Sequence, residues 1–315
     1  MVTEPTVRQL MEASAARLGS GAEARWIVEH ALAADGWAVH GSPSVSRLDE
    51  PVPPSASLLT ETLVARRQAG EPLQYVLGTW SFRTLELTVD RRVLIPRPET
   101  EQLVEVALTE LQRVMAQRVG AGTCDRPPRV VDLGTGSGAI ALSMAVEGGS
   151  RHAGLEVWAT DSTPDALDVA RANLDMLYGS APDGDRAGLG RVTWAQGQWF
   201  AALPIDLVGS IDLVVSNPPY VSAVEYRHLD PVVRDWEPKG ALVAGPGSDG
   251  SGGLADVETI IAGAPRWLSG DGTLVVELAP HQAEAATAMA RRGFADVRVE
   301  PDLAGRPRVL VAAGR

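Results

Sequence analysis

Near its end the chain carries two short apolar-alternating segments, Asp296-Val-Arg-Val-Glu300 and Arg308-Val-Leu-Val-Ala312, with only a Pro/Gly-containing turn between them. Segments that close together must pair antiparallel, since a parallel return needs a dozen or more residues. From Arg129 up to that pair the pattern is different. Apolar strand segments at 130–133, 155–159, 192–195, 211–215 and 273–278 are interleaved with helical runs such as 138–146, 164–177, 254–268 and 282–292. That alternation predicts a parallel sheet covered by helices on both faces.

Five parallel strands followed by an antiparallel hairpin is the layout of class I methyltransferases, a Rossmann-like, mostly parallel seven-stranded α/β sheet. A dinucleotide dehydrogenase does not usually end this way. Residues 1 to about 75 read instead as a small helical bundle. Val7-Arg-Gln-Leu10-Met11 and Ala22 to Leu32 space their apolar residues by three and four, and Leu58 to Arg67 repeats the pattern after a Pro/Ser-rich break at 41–57. Between the two regions, Phe82, Leu85, Leu87 and Val89, then Val93 to Ile95, flank Asp90-Arg91-Arg92 as a hairpin-like connector. The expected organisation is a helical substrate-docking domain (1–78), a β-hairpin connector (79–95) and a catalytic domain (96–315). The stretches 116–128, 179–190 and 245–253 read as a flexible connection, a surface loop and a mobile loop.

Composition enters mainly as exclusion. Forty-five percent hydrophobic and 22% charged residues suit a soluble globular protein. A single cysteine, Cys124, excludes a disulfide framework and any Cys-rich zinc site. His30, His40, His152, His228 and His281 share no ligand spacing, so no metal is expected. No signal-peptide pattern and no 18-residue apolar run are present, which predicts a cytoplasmic protein without a membrane span. A net charge of −12 disfavours an extended polyphosphate partner such as DNA.

Three motifs carry chemistry. Asp132-Leu-Gly134-Thr135-Gly136-Ser137-Gly138 ends the first sheet strand and opens a helix, where glycines permit a tight turn and a close ligand approach. Its Gly-x-Gly-x-Gly spacing departs from the diphosphate-binding fingerprint, and Asp132 would repel a diphosphate but suit a cationic ligand. Asp161, at the end of the second strand, either accepts hydrogen bonds from the hydroxyls of a ribose or caps the following helix. Both can hold, with Thr163 as the cap. Asn217-Pro218-Pro219-Tyr220 follows the 211–215 strand, and two prolines stiffen the chain as it leaves the carboxyl edge of the sheet. The Asn217 amide oxygen and the Pro218 carbonyl then lie side by side as acceptors, with Tyr220 offering an aromatic face. Two fixed acceptors and a ring match a planar –NH₂ on a carbonyl or an aromatic ring. An amide nitrogen is a poor nucleophile, and accepting its two N–H bonds raises its electron density while aiming its lone pair at an electrophilic methyl group. Arg97 and Glu99 either line the mouth of the site or form salt bridges. Glu277 ends a strand nearby. Trp26, Trp37, Trp80 and Trp267 read as core or domain-contact residues.

Over nearly its whole length the chain resembles the HemK/PrmC-type release factor glutamine methyltransferases. The resemblance is carried by Gly70-Glu-Pro-Leu-Gln-Tyr-Val-Leu-Gly78, Leu94-Ile-Pro-Arg-Pro-Glu-Thr-Glu101, Asp132 to Ala141, and Val215-Ser-Asn-Pro-Pro-Tyr220. Glu237-Pro238, Ala241-Leu242 and Asp302-Leu-Ala-Gly-Arg306 add to it. Asn-Pro-Pro-Tyr alone is shared with adenine amino-methyltransferases; the Ile-Pro-Arg-Pro-Glu-Thr-Glu segment narrows the choice. The resemblance implies methylation of the Gly-Gly-Gln glutamine of class I peptide-chain release factors, with S-adenosyl-L-methionine converted to S-adenosyl-L-homocysteine. It places Gly134, Thr135, Gly136, Ser137, Gly138, Asp161 and Asn217 on the cofactor, with Trp199 packed on its adenine. Asn217, Pro218, Pro219 and Tyr220 would hold the glutamine, and Asn217, Pro218 and Tyr220 would serve catalysis. Where the family commonly has an acidic residue before that tryptophan, this chain has Gln198, whose carbonyl could accept the same adenine hydrogen bond. Alternatives are methylation of a ribosomal-protein glutamine, an adenine N6 methyltransferase, for which neither 1–80 nor 96–315 carries the positive charge, and a release-factor-binding adaptor, against which intact Asn217 and Tyr220 speak.

Overall fold

A computed structural model describes residues 4–37, 47–248, 250 and 252–314 of the chain. By contacts the chain divides into two compact units, Met1–Thr79 with Asp230–Trp236, and Trp80–Leu229 with Glu237–Arg315. His40 lies outside the described residues.

In the first unit α1 (Val7–Leu18), α2 (Gly21–Ala34), α3 (Pro54–Gln68) and α4 (Leu73–Leu77) are helical. Thr6 and Gln9 form a reciprocal capping box that starts α1, and Gly19 at φ 68° ends it. The apolar stripes meet as expected: Val7 and Leu10 pack on Val28 and Leu32, and Ile27 on Leu63, Val64 and Leu73. Of the two alternatives for Trp26, the core one does not hold: the residue is 45% exposed. Gly70, at φ 93°, lies so close to Trp236 that an added Cβ would sit 3.6 Å from the indole nitrogen.

The second unit opens with a two-stranded sheet, β1 (Thr79–Phe82) and β2 (Leu85–Thr88). Its strands join at Arg83-Thr84, not at the expected Asp90-Arg91-Arg92. Arg83 holds a left-handed φ of 52° because its N–H donates to Glu101 and its guanidinium pairs with Glu105 at 2.8 Å and Glu147 at 2.5 Å. Next comes α5 (Pro98–Ala121), which runs through the start of the expected flexible connection and stops at Gly122, φ 69°. Its last turn is anchored: buried Arg118 donates to Asp212 at 3.0 Å, and Arg126 shares that carboxylate at 2.8 Å.

The large sheet has the order β5-β4-β3-β6-β7-β9-β8. Its parallel strands are β3 (Arg129–Leu133), β4 (Glu156–Asp161), β5 (Val192–Gln196), β6 (Ile211–Ser216) and β7 (Leu268–Glu277). β8 (Asp296–Pro301) and β9 (Pro307–Ala313) form the antiparallel hairpin, with β9 against β7. The fold is that of a class I methyltransferase. Because successive side chains point to opposite faces, Val130, Val157 and Val215 join a core under α5, while Val131, Val214 and Val276 join another with Ile260 and Phe294. Chain order reverses between β3 and β6. A crevice opens at the carboxyl ends of strands at such a switch point.

Helices connect the strands. After β3 come α6 (Ala139–Ser143), a π-helical turn (Met144–Gly148) and α7 (Gly149–Arg151), instead of one regular helix over 138–146. The region 179–190 is not a simple loop: α8 (Pro164–Ser180) gives way to α9 (Asp183–Leu189), which buries Leu189. Gly188 permits this packing, for a Cβ there would meet the Ala145 carbonyl oxygen of the π turn at 2.0 Å. Three short turns, α10 (Ala223–Tyr226), α11 (Pro231–Arg234) and α12 (Lys239–Leu242), follow β6, and α13 (Ala255–Trp267) and α14 (Ala283–Ala290) flank β7. Within the stretch expected to be a mobile loop, residues 249 and 251 lie outside the described residues. The Ser248 N–H is tied to Glu258 at 2.8 Å.

Candidate active site

The loops after β3, β4, β5 and β6 meet in a cleft of about 360 Å³ whose lining includes Gly134, Gly136, Asp161, Gln198, Trp199, Asn217 and Pro219. Sequence reasoning named all seven. Arg92, Leu94, Pro238 and Asp256 also line it, and the sequence assigned none of these a place at the site. Leu94 and Pro238 flank a tie that a motif search passes over: buried Glu237 accepts from the Ile95 N–H at 3.1 Å and pairs with Arg97. Arg97 is thus a salt-bridge partner, and Glu99 lies 3.7 Å from Arg306.

Gly134, Gly136 and Gly138 hold φ values of 77°, 56° and 84°, a region disfavoured for side-chain-bearing residues. Their roles differ. Gly134 faces the Trp199 ring, 3.1 Å from where a Cβ would be, whereas Gly138 turns its back on the cleft and packs on Leu142 and Ala170. Thr135 and Ser137 are buried. The Thr135 hydroxyl donates to Asp132 Oδ2 at 2.7 Å, which also accepts from the Ala141 N–H at 3.1 Å. Asp132 therefore braces the loop from within and does not line the cleft. Burial pushes its carboxyl up to about 7, opposed by those two hydrogen bonds.

Asp161 ends β4 with both oxygens engaged, Oδ2 by the Gly136 N–H at 3.0 Å and Oδ1 by the Thr163 N–H at 2.9 Å. The expected division of labour changes: the Thr163 side chain makes no cap hydrogen bond, and Asp161 itself ties the glycine loop to the start of α8. Each carboxylate oxygen keeps a lone pair for a further donor. Trp199 sits at φ 48°, a strained conformation for a bulky residue of the kind that clusters at ligand sites. Asp256, at the start of α13, lies near its indole N–H without a well-formed hydrogen bond, and burial pushes that carboxyl up.

The Asn217-Pro218-Pro219-Tyr220 segment is held from several sides. Ser216 donates to the Leu133 carbonyl at 2.6 Å, and Gln282 Nε2 donates to the carbonyls of Tyr220 at 3.1 Å and Gly253 at 3.0 Å. Asn217 Nδ2 donates to Thr100 Oγ1 at 3.0 Å, and the Thr100 hydroxyl donates to Glu277 Oε2 at 2.8 Å. The Tyr220 hydroxyl approaches Glu277 Oε1 at 3.4 Å. Glu277 is 1% exposed, and burial pushes its carboxyl up to about 7. Burial also raises the Tyr220 phenol well above its ordinary value, which keeps it protonated. Pro218 is buried behind Asn217, and neither Pro218 nor Tyr220 is among the cleft-lining residues.

Among the described residues there is no cluster of His, Cys, Asp or Glu able to hold a metal ion. No helix of the described residues is long and apolar enough to cross a membrane. The site offers rigid acceptors, a backbone-lined loop and an aromatic wall, suited to orienting an amino group against a bound nucleoside.

A family model described as the PrmC N-terminal domain matches residues 7–78. Over 90% of its length the chain is 40% identical to a protein of Burkholderia pseudomallei named release factor glutamine methyltransferase, covering 88% of that protein. A Bordetella pertussis protein of the same name is 40% identical over 91% of this chain and 92% of its own length. A third, from Cereibacter sphaeroides, is 36% identical over 92% of this chain and 90% of its own.

Proposed function

The chain belongs to the release factor glutamine methyltransferases, and on that premise we propose how its residues move a methyl group from S-adenosylmethionine to the N5 amide nitrogen of the Gly-Gly-Gln glutamine in class I peptide-chain release factors. The observation that carries the reading is the single cleft joining Asn217 and Pro219 to Gly134, Gly136, Asp161 and Trp199. When bound, S-adenosylmethionine supplies an electrophilic methyl on a sulfonium. The residues fit such a group. Glycines 134 and 136 bare the backbone, Asp161 retains acceptor capacity for ribose hydroxyls, and Trp199 with Gln198 walls the adenine end.

Asn217 and the Pro218 carbonyl accept the two N–H bonds of the substrate amide, and Pro219 and Tyr220 keep that pair rigid. As positive charge grows on the attacking nitrogen these acceptors stabilise it. The methylated nitrogen is strongly acidic and sheds its proton to solvent, so no general base is required.

A glutamine side chain has too little surface to single out one protein. Residues 1–78 therefore serve as the docking domain, 79–95 as connector and 96–315 as catalytic domain, with remote contacts contributing to transition-state binding. The net charge of −12 supports a protein substrate over nucleic acid. A cytoplasmic location follows from that substrate.

The test is transfer of labelled methyl to a purified release factor and to its Gly-Gly-Gln→Gly-Gly-Ala variant. Label on the first alone is the expected result, with kcat/KM on the intact factor well above that on a short Gly-Gly-Gln peptide. Label entering adenine of added nucleic acid, with none in the factor, would overturn the reading. Asp161→Ala should weaken S-adenosylhomocysteine binding by about 1–3 kcal/mol, the scale of lost charge-assisted hydrogen bonds, as measured by calorimetry. Unchanged affinity with a lowered melting temperature would make Asp161 a loop brace only.

A further inference from the structure

The oxygen and nitrogen of an asparagine amide are alike in size, so only their hydrogen-bond partners decide which one faces a ligand. At Asn217 that choice decides whether the cleft presents an acceptor or a donor. Donor–acceptor accounting resolves it. Once ionised, as it is above a pH of about 7, Glu277 can only accept, and it takes the single hydroxyl proton of Thr100 at 2.8 Å. Thr100 is left with lone pairs alone, so Asn217 must turn its –NH₂ toward it, as the 3.0 Å contact from Nδ2 records. Oδ1 is thereby committed to the opposite side, toward the cleft that Asn217 lines. We propose that Thr100 and Glu277 are positioning residues: they set the orientation of the Asn217 amide and so the rate of methyl transfer, without touching substrate or cofactor.

Three observations support the assignment. Thr100 and Glu277 are 4% and 1% exposed and neither is among the cleft-lining residues, so a direct ligand role is poorly placed. A buried carboxylate is costly unless its acceptors are used, and both Glu277 oxygens face hydroxyls of the site, Thr100 at 2.8 Å and Tyr220 at 3.4 Å. Thr100 comes from α5 and Glu277 from the end of β7, so two separate elements converge on one amide. With the amide reversed, an N–H of Asn217 would oppose an N–H of the substrate, and the attacking nitrogen would lose one of its two acceptors.

The proposal rests on Asn217 accepting from the glutamine amide, and the experiment separates the two ideas. Thr100→Val keeps the shape but neither donates nor accepts. It should lower kcat on an intact release factor about 10-fold, while the Kd for S-adenosylhomocysteine stays within about twofold, the loss being that of one orienting hydrogen bond. Thr100→Ser should restore kcat to within about twofold of wild type. In an Asn217→Ala background Thr100→Val should cost nothing further, because the relay acts only through Asn217. Wild-type kcat in folded Thr100→Val overturns the proposal while leaving the role of Asn217 intact. So does a full 10-fold loss in the Asn217→Ala background. Wild-type turnover in Asn217→Ala alone overturns the reading beneath it. Should Thr100→Val melt far below wild type, the comparison of Thr100→Ser with Thr100→Ala decides, since both leave space and only one keeps the hydroxyl.

Discussion

Asn217→Ala should reduce kcat by roughly 10²–10³-fold, the cost of removing one preorganised hydrogen-bonding group aimed at developing charge. Binding of S-adenosylhomocysteine should change by no more than about fivefold, since Gly134, Gly136 and Asp161 remain in place around the cleft. The fold should survive, because Asn217 is only partly buried and gives up one side-chain hydrogen bond, to Thr100, worth about 1 kcal/mol. Single-turnover methylation of a release factor, with calorimetry on the product, reads the two quantities separately. Near-normal turnover would falsify the two-acceptor mechanism, whatever the affinity.

Gly253→Ala is expected to be nearly as damaging from a position that bears no reactive group. At φ 77° its Cβ would lie 2.2 Å from the Tyr220 carbonyl oxygen, 2.9 Å from its carbon and 3.0 Å from Gln282 Nε2. A backbone carbonyl cannot yield like the end of a flexible side chain. The Tyr220 peptide must shift by about 1 Å, and misplacement on that scale costs about 10²-fold in rate. The left-handed backbone adds roughly 1–2 kcal/mol of strain for any side-chain-bearing residue. Gly305→Ala is the control, with a similar φ of 78° and nothing within 4 Å. Both variants should melt lower, but only Gly253→Ala should lose kcat. Equal kcat in the two would mean that the Tyr220 carbonyl is not fixed where Gln282 and Gly253 hold it.

The fold was legible because its signals are local. Residues 213–215 read as a continuous apolar run since both faces of β6 are buried, and the closeness of 296–300 to 308–312 leaves β8 and β9 no pairing but antiparallel. The glycine loop and the Asn-Pro-Pro-Tyr segment were legible for the same reason, each packing its function into a few consecutive residues. What escaped depends on distant partners. Arg83 turns the first hairpin because Glu101 and Glu147 hold it from 18 and 64 residues away. The partner of Asn217 is 117 residues upstream, and the partner of Thr100 is 177 residues downstream. Asp132, read as facing a cation, turns inward because Thr135 and the Ala141 N–H offer it bonds that only the folded loop brings within reach. The π turn at Met144–Gly148 is met by Gly188 of α9, an approach that no helical periodicity in 138–146 announces.

The helical unit is assembled from two stretches of chain, with Trp236 reaching back to Gly70. A ribosome delivers these stretches far apart in time. Domains ordinarily fold as they emerge, N-terminal first, at about 5–20 residues per second, so α1 to α4 wait on the order of 10–30 s for their last side chain. During that interval they must persist on their own core of Ile27, Leu63, Val64 and Leu73, with the Gly70 backbone uncovered by its tryptophan. This helical unit is completed only after the Asn217 to Tyr220 segment has been synthesised.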